Sequence, residues 1–208
     1  MPELPVLLTY IAVLTGFVFF PGPSILLTLT RSSISGMRIG VATSLGIGLG
    51  DLFHTAMAVA GISAILLASA QAFTLIKLLG AGYLIYIGLR SLFEGRLRKA
   101  SEAAPPISTG QAFRQACLAE ILNPKSAMFF LAFLPQFVDP GLGQIALQLT
   151  IFGLLFVLMG TFATLVTAVA AGHVGRFLRQ NPGIQRWQSK VVGSIYCALG
   201  IRLAFQER

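Results

Sequence analysis

Apolar residues dominate this chain in six long runs, and most charged residues fall in the short stretches between them. A helix that crosses a bilayer needs about 20 mostly apolar residues. The first run extends from Leu4 to Thr30 and is broken by Pro21-Gly22-Pro23. A basic link, Arg31 to Arg38, leads into the second run, Ile39 to Ala68, which contains Asp51 and His54. Ser69 to Thr74 reads as a tight turn before the third run, Leu75 to Phe93. The fourth run, Gln111 to Val138, is interrupted at Asn123-Pro124-Lys125 and ends at the turn signal Asp139-Pro140-Gly141. The fifth spans Ile145 to Gly172. A second basic link, Arg176 to Lys190, precedes the sixth, Val191 to Phe205, which is short enough to need tilt or bilayer thinning.

This pattern predicts an all-α integral membrane protein of about six transmembrane helices. Between the third and fourth runs lies the one stretch of soluble character, Glu94 to Gly110, with Arg96, Arg98, Lys99, Pro105 and Pro106. It divides a single transporter domain, 1–208, into halves 1–93 and 111–208, joined by a cytoplasmic loop 94–110. An odd number of helices per half inverts the second half relative to the first. The proline breaks then fall in the first helix of each half. Paired Gly/Pro interruptions at corresponding positions of inverted halves point to a transporter's binding site.

Composition agrees with lipid as the surroundings. The chain is 55% hydrophobic and 11% charged, against about 45–50% and about 25% in soluble domains. The net charge of +8 does not indicate nucleic acid, because the cations sit in links between apolar runs. Arg31, Arg38, Arg90, Arg96, Arg98, Lys99, Arg114, Arg176, Arg179, Arg186 and Lys190 fall on one side; Lys77, Arg202 and Arg208 fall on the other. The basic side is expected in the cytoplasm, with both termini outward. The first run is not expected to be a signal peptide: no Lys or Arg precedes Arg31, and the run is too long.

Several candidate residues lie inside the runs. A proline within a helix removes a backbone hydrogen bond, and the freed groups must find partners or line a wet cavity. A helix restarting after such a break presents amides suited to a carboxylate. Ser24 and Thr28 flank one break; Glu120, Asn123, Lys125 and Ser126 flank the other. Ionisable groups at membrane depth are costly and therefore functional candidates. Asp51 is a candidate to bind a proton, to bind a substrate's ammonium, or to pair with a lysine. His54, three residues on, shares its helix face and is either a relay partner or a structural hydrogen-bonding group. Glu120 and Lys125 are an internal pair, or a second proton carrier and a carboxylate contact. Lys77 either belongs to the site or snorkels to the outer interface. Gly40, Gly46, Gly48 and Gly50 are read as helix-packing positions. Gly46-Ile47-Gly48 follows no strand, so no nucleotide loop and no cofactor is expected. Cys117 and Cys197 stand inside apolar runs and suggest neither a disulfide framework nor a metal site. No His-Glu-x-x-His motif is present, so an intramembrane metalloprotease is not expected. An exporter of another small solute or of a metal cation is the main alternative to an amino-acid exporter.

Five blocks together resemble the lysine exporter family, in its homoserine–threonine exporter branch. They are Phe20-Pro21-Gly22-Pro23, Gly46-Ile47-Gly48-Leu49-Gly50-Asp51, Lys77-Leu78-Leu79-Gly80-Ala81-Gly82-Tyr83-Leu84, Leu122-Asn123-Pro124-Lys125-Ser126-Ala127 and Phe129 to Phe137. The resemblance implies amino-acid efflux across the bacterial inner membrane, driven by the proton motive force. It also implies a multi-pass six-helix fold with inverted halves, and a homodimer. It carries a functional set onto Pro21, Gly22, Pro23, Asp51, Lys77, Asn123, Pro124 and Lys125. Glu120 departs from the pattern, since many members have Asn there, and that departure bears on substrate charge or coupling.

Overall fold

A computed structural model describes residues 2–19, 22–68 and 107–180, with isolated positions of the third and sixth runs (Leu75, Leu78, Ala81, Gly82, Ile85, Tyr86, Leu89, Ser194, Cys197 and Ile201). Pro21, Lys77, loop 94–106 and link 181–190 lie outside the described residues. Among the described residues the chain is helical almost throughout and contains no strand.

The first run is two helices, α1 (Leu4–Val18) and α2 (Pro23–Ser35), bent by 49° at the Pro-Gly-Pro break. The basic link expected after it is shorter than the charge pattern suggests. Arg31 lies inside α2, and only Gly36 separates α2 from α3 (Met37–Ala68). Gly36 has φ of 90°, a conformation in which a side chain would be strained. A charge ends an apolar run without ending a helix; here the glycine ends it.

The fourth run is also bent, by 43°, between α4 (Thr109–Ile121) and a segment restarting at Pro124. Ser108 and Gln111 form a reciprocal capping box at the start of α4. After the break comes a short helix, α5 (Pro124–Met128), then a π-helical turn over Phe129–Phe133 and a 3₁₀ turn over Leu134–Phe137. Asp139 accepts from the Gly141 amide at 2.8 Å, which makes the expected turn. The fifth run becomes α6 (Ile145–Gln180), extending past Gly172 so that Arg176 and Arg179 are helical. Its Ile145–Ala171 stretch is long and apolar enough to cross a membrane, and each bent pair passes as one broken span.

α3 packs against both α4 and α6, with α2 against α3 and α6. The approach of α4 to α3 depends on Gly46 and Gly50, one turn apart on the same face. A β-carbon at Gly46 would collide with the Phe113 carbonyl, and one at Gly50 would lie 2.6 Å from Glu120 Cβ. Toward the ends of α1 and α6 opposite to Arg31 and Arg38, the interior is aromatic. Tyr10, Phe17, Phe129, Phe133, Phe152 and Phe156 are buried there. Rings pack at centroid distances such as 4.5 Å for Phe17–Phe129 and 4.8 Å for Tyr10–Phe152, and the Tyr10 hydroxyl donates to the Phe152 carbonyl at 2.8 Å. The outer surface is apolar too: Leu154, Leu158, Phe162 and Val169 of α6 are exposed. A contiguous apolar face of that kind suits lipid.

Candidate functional site

Neither break proline offers an N–H to the carbonyl four residues before it, and in both cases a side chain from elsewhere reaches that oxygen. Pro124 has no N–H to offer the Glu120 carbonyl. That oxygen accepts from the Asn123 amide at 2.9 Å and lies 2.9 Å from His54 Nε2, which donates in the tautomer protonated there. The His54 ring also stacks on Phe130, with centroids 5.6 Å apart. Pro21 likewise has no N–H for the Phe17 carbonyl. The oxygen of Phe17 accepts from Lys125 Nζ at 3.2 Å, and the same ammonium lies 4.3 Å from the centre of the Phe17 ring. A lysine on one break thus serves the carbonyl freed by the other.

A second link runs the opposite way. The Ser24 hydroxyl, just after the first break, donates to Glu120 Oε2 at 2.5 Å. Asn123 Nδ2 donates to Glu120 Oε1 at 3.0 Å and reaches Ser24 Oγ and Ser126 Oγ, both at 3.2 Å. The Ser126 hydroxyl donates to Glu120 Oε1 as well. Asn123 Oδ1 accepts from the Lys125 amide at 3.1 Å, capping the helix that restarts there. Both oxygens of Glu120 are therefore occupied by protein donors.

Asp51 is placed differently. It is 2% exposed on α3, and Oδ1 has no hydrogen-bond partner. Its carboxyl lies within electrostatic reach of both Glu120 and Lys125. These groups border one cavity, lined also by Gly22, Ser24, Ser126, Phe17, Phe156, Gly160 and Thr164. About 30 Å³ of it is open to a water centre, room for roughly one or two waters.

Of the residues singled out in the sequence, Gly22, Asp51, Glu120 and Lys125 line this cavity, and Pro23, His54, Asn123 and Pro124 shape its walls. Pro21 and Lys77 lie outside the described residues. Gly22 is required by Lys125: a β-carbon there would lie 2.7 Å from Nζ and 3.0 Å from Cδ. Phe17, Phe156, Gly160 and Thr164 were not anticipated. Counting four residues back from Pro21 identifies Phe17; nothing in the local sequence marks the other three, which belong to an uninterrupted apolar helix.

Comparison with known proteins places the chain in a family. The LysE type translocator family model matches residues 16–207. An uncharacterised membrane protein of Vibrio cholerae is 29% identical over 202 residues, covering 97% of this chain and 98% of that protein. The uncharacterised membrane protein YrhP of Bacillus subtilis is 29% identical over 205 residues, 94% of this chain and 97% of its own. The leucine efflux protein of Salmonella choleraesuis is 31% identical over 138 residues, 64% of each chain. No solved structure matches the chain. With the match running from α1 to the end of the sixth run, the chain is a membrane protein that belongs to the LysE type translocator family.

Proposed function

We propose that this chain is a secondary active exporter of small neutral or basic amino acids across the bacterial inner membrane, driven by the proton motive force. The observation that carries this reading is the meeting of the two proline breaks at one cavity, joined by Ser24 to Glu120 and Lys125 to Phe17. Two discontinuous helices converging on charged groups is the form a transporter site takes. The similarity to a leucine efflux protein supports an amino acid as the cargo. In this reading about six transmembrane helices form two inverted halves, 1–93 and 111–208, with both termini outward. The two halves of the single domain are joined by the cytoplasmic loop 94–110, and the protein works without a cofactor, as a homodimer.

The roles follow from which groups are free. Asp51 has an unpartnered oxygen on the cavity, so it takes the proton or the substrate's ammonium. Lys125 is the cation on that cavity among the described residues and contacts the substrate carboxylate when the breaks part. Glu120, saturated by Ser24, Asn123 and Ser126, holds the two breaks in register. Apolar walls from Phe17, Val18, Ile25, Ile47 and Phe156 receive the rest of the substrate. Cells loaded with a panel of dipeptides and overproducing the chain should release one or a few amino acids faster than controls. An uncoupler should stop that release, and no acceleration of any amino acid would count against the exporter reading.

A further inference from the structure

Thr28 is fully buried on α2, and its hydroxyl has no hydrogen-bond partner. Every other buried hydroxyl among the described residues is bonded. Ser32 donates to the Ala168 carbonyl at 2.6 Å, and Thr43, Ser44, Thr55 and Thr164 each donate to the carbonyl one turn back on their own helix. Tyr10 and Ser126 are bonded as well. The Ser24 carbonyl lies one turn back from Thr28 as well, yet Thr28 leaves it unused. Buried polar groups without partners are rare, and each asks for a reason.

Its position supplies one. Ser24, Thr28 and Ser32 recur every four residues and share one face of α2. On α6, Gly160, Thr164 and Ala168 recur with the same spacing. Ser24, Gly160 and Thr164 line the cavity. Ser32 and Ala168 touch at the end carrying Arg31 and Arg38, where a β-carbon at Gly40 of α3 would lie 2.5 Å from Ser32 Cβ and 3.0 Å from Ala168 Cβ. Thr28 therefore sits between the cavity and that contact. On this side the described residues next to the cavity between α2, α3 and α6 are small: Thr28, Ser32, Gly40 and Ala168. On the opposite side it is closed by the stacked rings of Phe17, Phe129, Phe133 and Phe156. Wetting phenyl rings costs far more than wetting hydroxyls and glycine, so the small-residue side is the cheaper one to part.

We propose that the seam between α2 and α6, from the cavity to the Ser32–Gly40–Ala168 contact, is the cytoplasmic access path of the site, and that Thr28 meets water and substrate within it. The proposal rests on the exporter reading and on its orientation. The hydroxyl, unbonded in this conformation, gains its partner when the seam opens.

The test replaces Thr28 by Cys in a background with Cys117 and Cys197 changed to Ala. A membrane-impermeant cationic methanethiosulfonate is applied to inside-out and right-side-out vesicles. Thr28→Cys should react in inside-out vesicles only, and leucine at about ten times its Kd should slow the reaction about tenfold. Reaction from the outer face only, or from neither face, overturns the path. A second pair of variants separates a packing role. If Thr28 only packs, Thr28→Val removes an unpaired buried hydroxyl and leaves export unchanged with stability equal or higher. If Thr28 lines the path, Thr28→Val cuts leucine export about tenfold, roughly one lost hydrogen bond, while Thr28→Ser retains it. Unchanged export in Thr28→Val overturns the proposal. Failure of the wild type to export any amino acid would instead overturn the exporter reading, and the sidedness of Thr28→Cys labelling would still decide on the seam.

Discussion

Lys125 reaches across from one helix break to hydrogen-bond the Phe17 carbonyl, to which the proline of the other break can offer no N–H, at 3.2 Å. The contact couples the two breaks chemically as well as spatially. Replacing Lys125 by Met keeps much of the side chain's bulk and removes the donor. The Phe17 carbonyl then loses this buried hydrogen bond, at a cost of about 0.5–1.5 kcal/mol. Lys125→Met should lower the melting temperature in detergent and cut amino-acid export by at least about tenfold. Lys125→Arg should not restore export, because a planar, bulkier fork does not fit against Gly22. Wild-type export by Lys125→Met would show that the ammonium serves packing alone.

Two glycine substitutions should separate function from folding. A methyl at Gly22 meets only the end of the Lys125 side chain, which can swing away. Gly22→Ala should therefore fold, with a fall in melting temperature no larger than that of Lys125→Met, and lose most export. A methyl at Gly50 meets Glu120 Cβ at 2.6 Å and the Cys117 carbonyl at 3.1 Å, neither of which yields without moving α4. Gly50→Ala should lose about 1–3 kcal/mol of stability and express poorly. Equal thermal stability of the two variants would contradict this account of the α3–α4 contact.

His54 is expected to act as a brace. Its Nε2 serves the carbonyl freed by Pro124, and its ring stacks on Phe130. Gln carries an amide donor at a comparable reach. His54→Gln should keep export and leave its pH profile in place, while His54→Ala should destabilise the protein. A shifted pH profile in a stable His54→Gln protein would restore the alternative of a proton relay with Asp51.

Glu120 should tolerate almost no exchange. Ser24, Asn123 and Ser126 all donate to its oxygens. In Glu120→Gln one oxygen becomes an NH₂ group that faces a donor, at a cost of about 1–3 kcal/mol. We expect a lower melting temperature and weakened export, with substrate preference among amino acids unchanged. A changed preference without loss of stability would mean that Glu120 contacts the substrate.

Much of this arrangement could be read from the sequence, because prolines and glycines act locally. Pro21-Gly22-Pro23 and Asn123-Pro124 announce the breaks, and a carboxylate in an apolar run makes Asp51 conspicuous. The close-packing glycines of α3 were legible for the same reason. The true reach of α2 and α6 was not: Arg31 and Arg176 interrupt hydropathy but continue a helix, so hydropathy alone placed links where helices run on. The division of labour between Glu120 and Asp51 was not legible either. It depends on Ser24 and Ser126 reaching Glu120 from two separate segments. No spacing along the chain reveals a contact between residues 24 and 120.

The central claim, a proton-coupled amino-acid site centred on Asp51, is tested most directly in proteoliposomes containing the purified protein. The labelled amino acid whose release the chain accelerates in cells would be followed first in exchange at equal pH, then with a pH gradient imposed. The wild type should exchange it and also drive it against its concentration when the gradient is present. Asp51→Asn should still exchange it, within a few-fold of wild type, and should lose gradient-driven accumulation. Gradient-driven accumulation by Asp51→Asn at the wild-type rate would contradict the assignment of Asp51 as the coupling group.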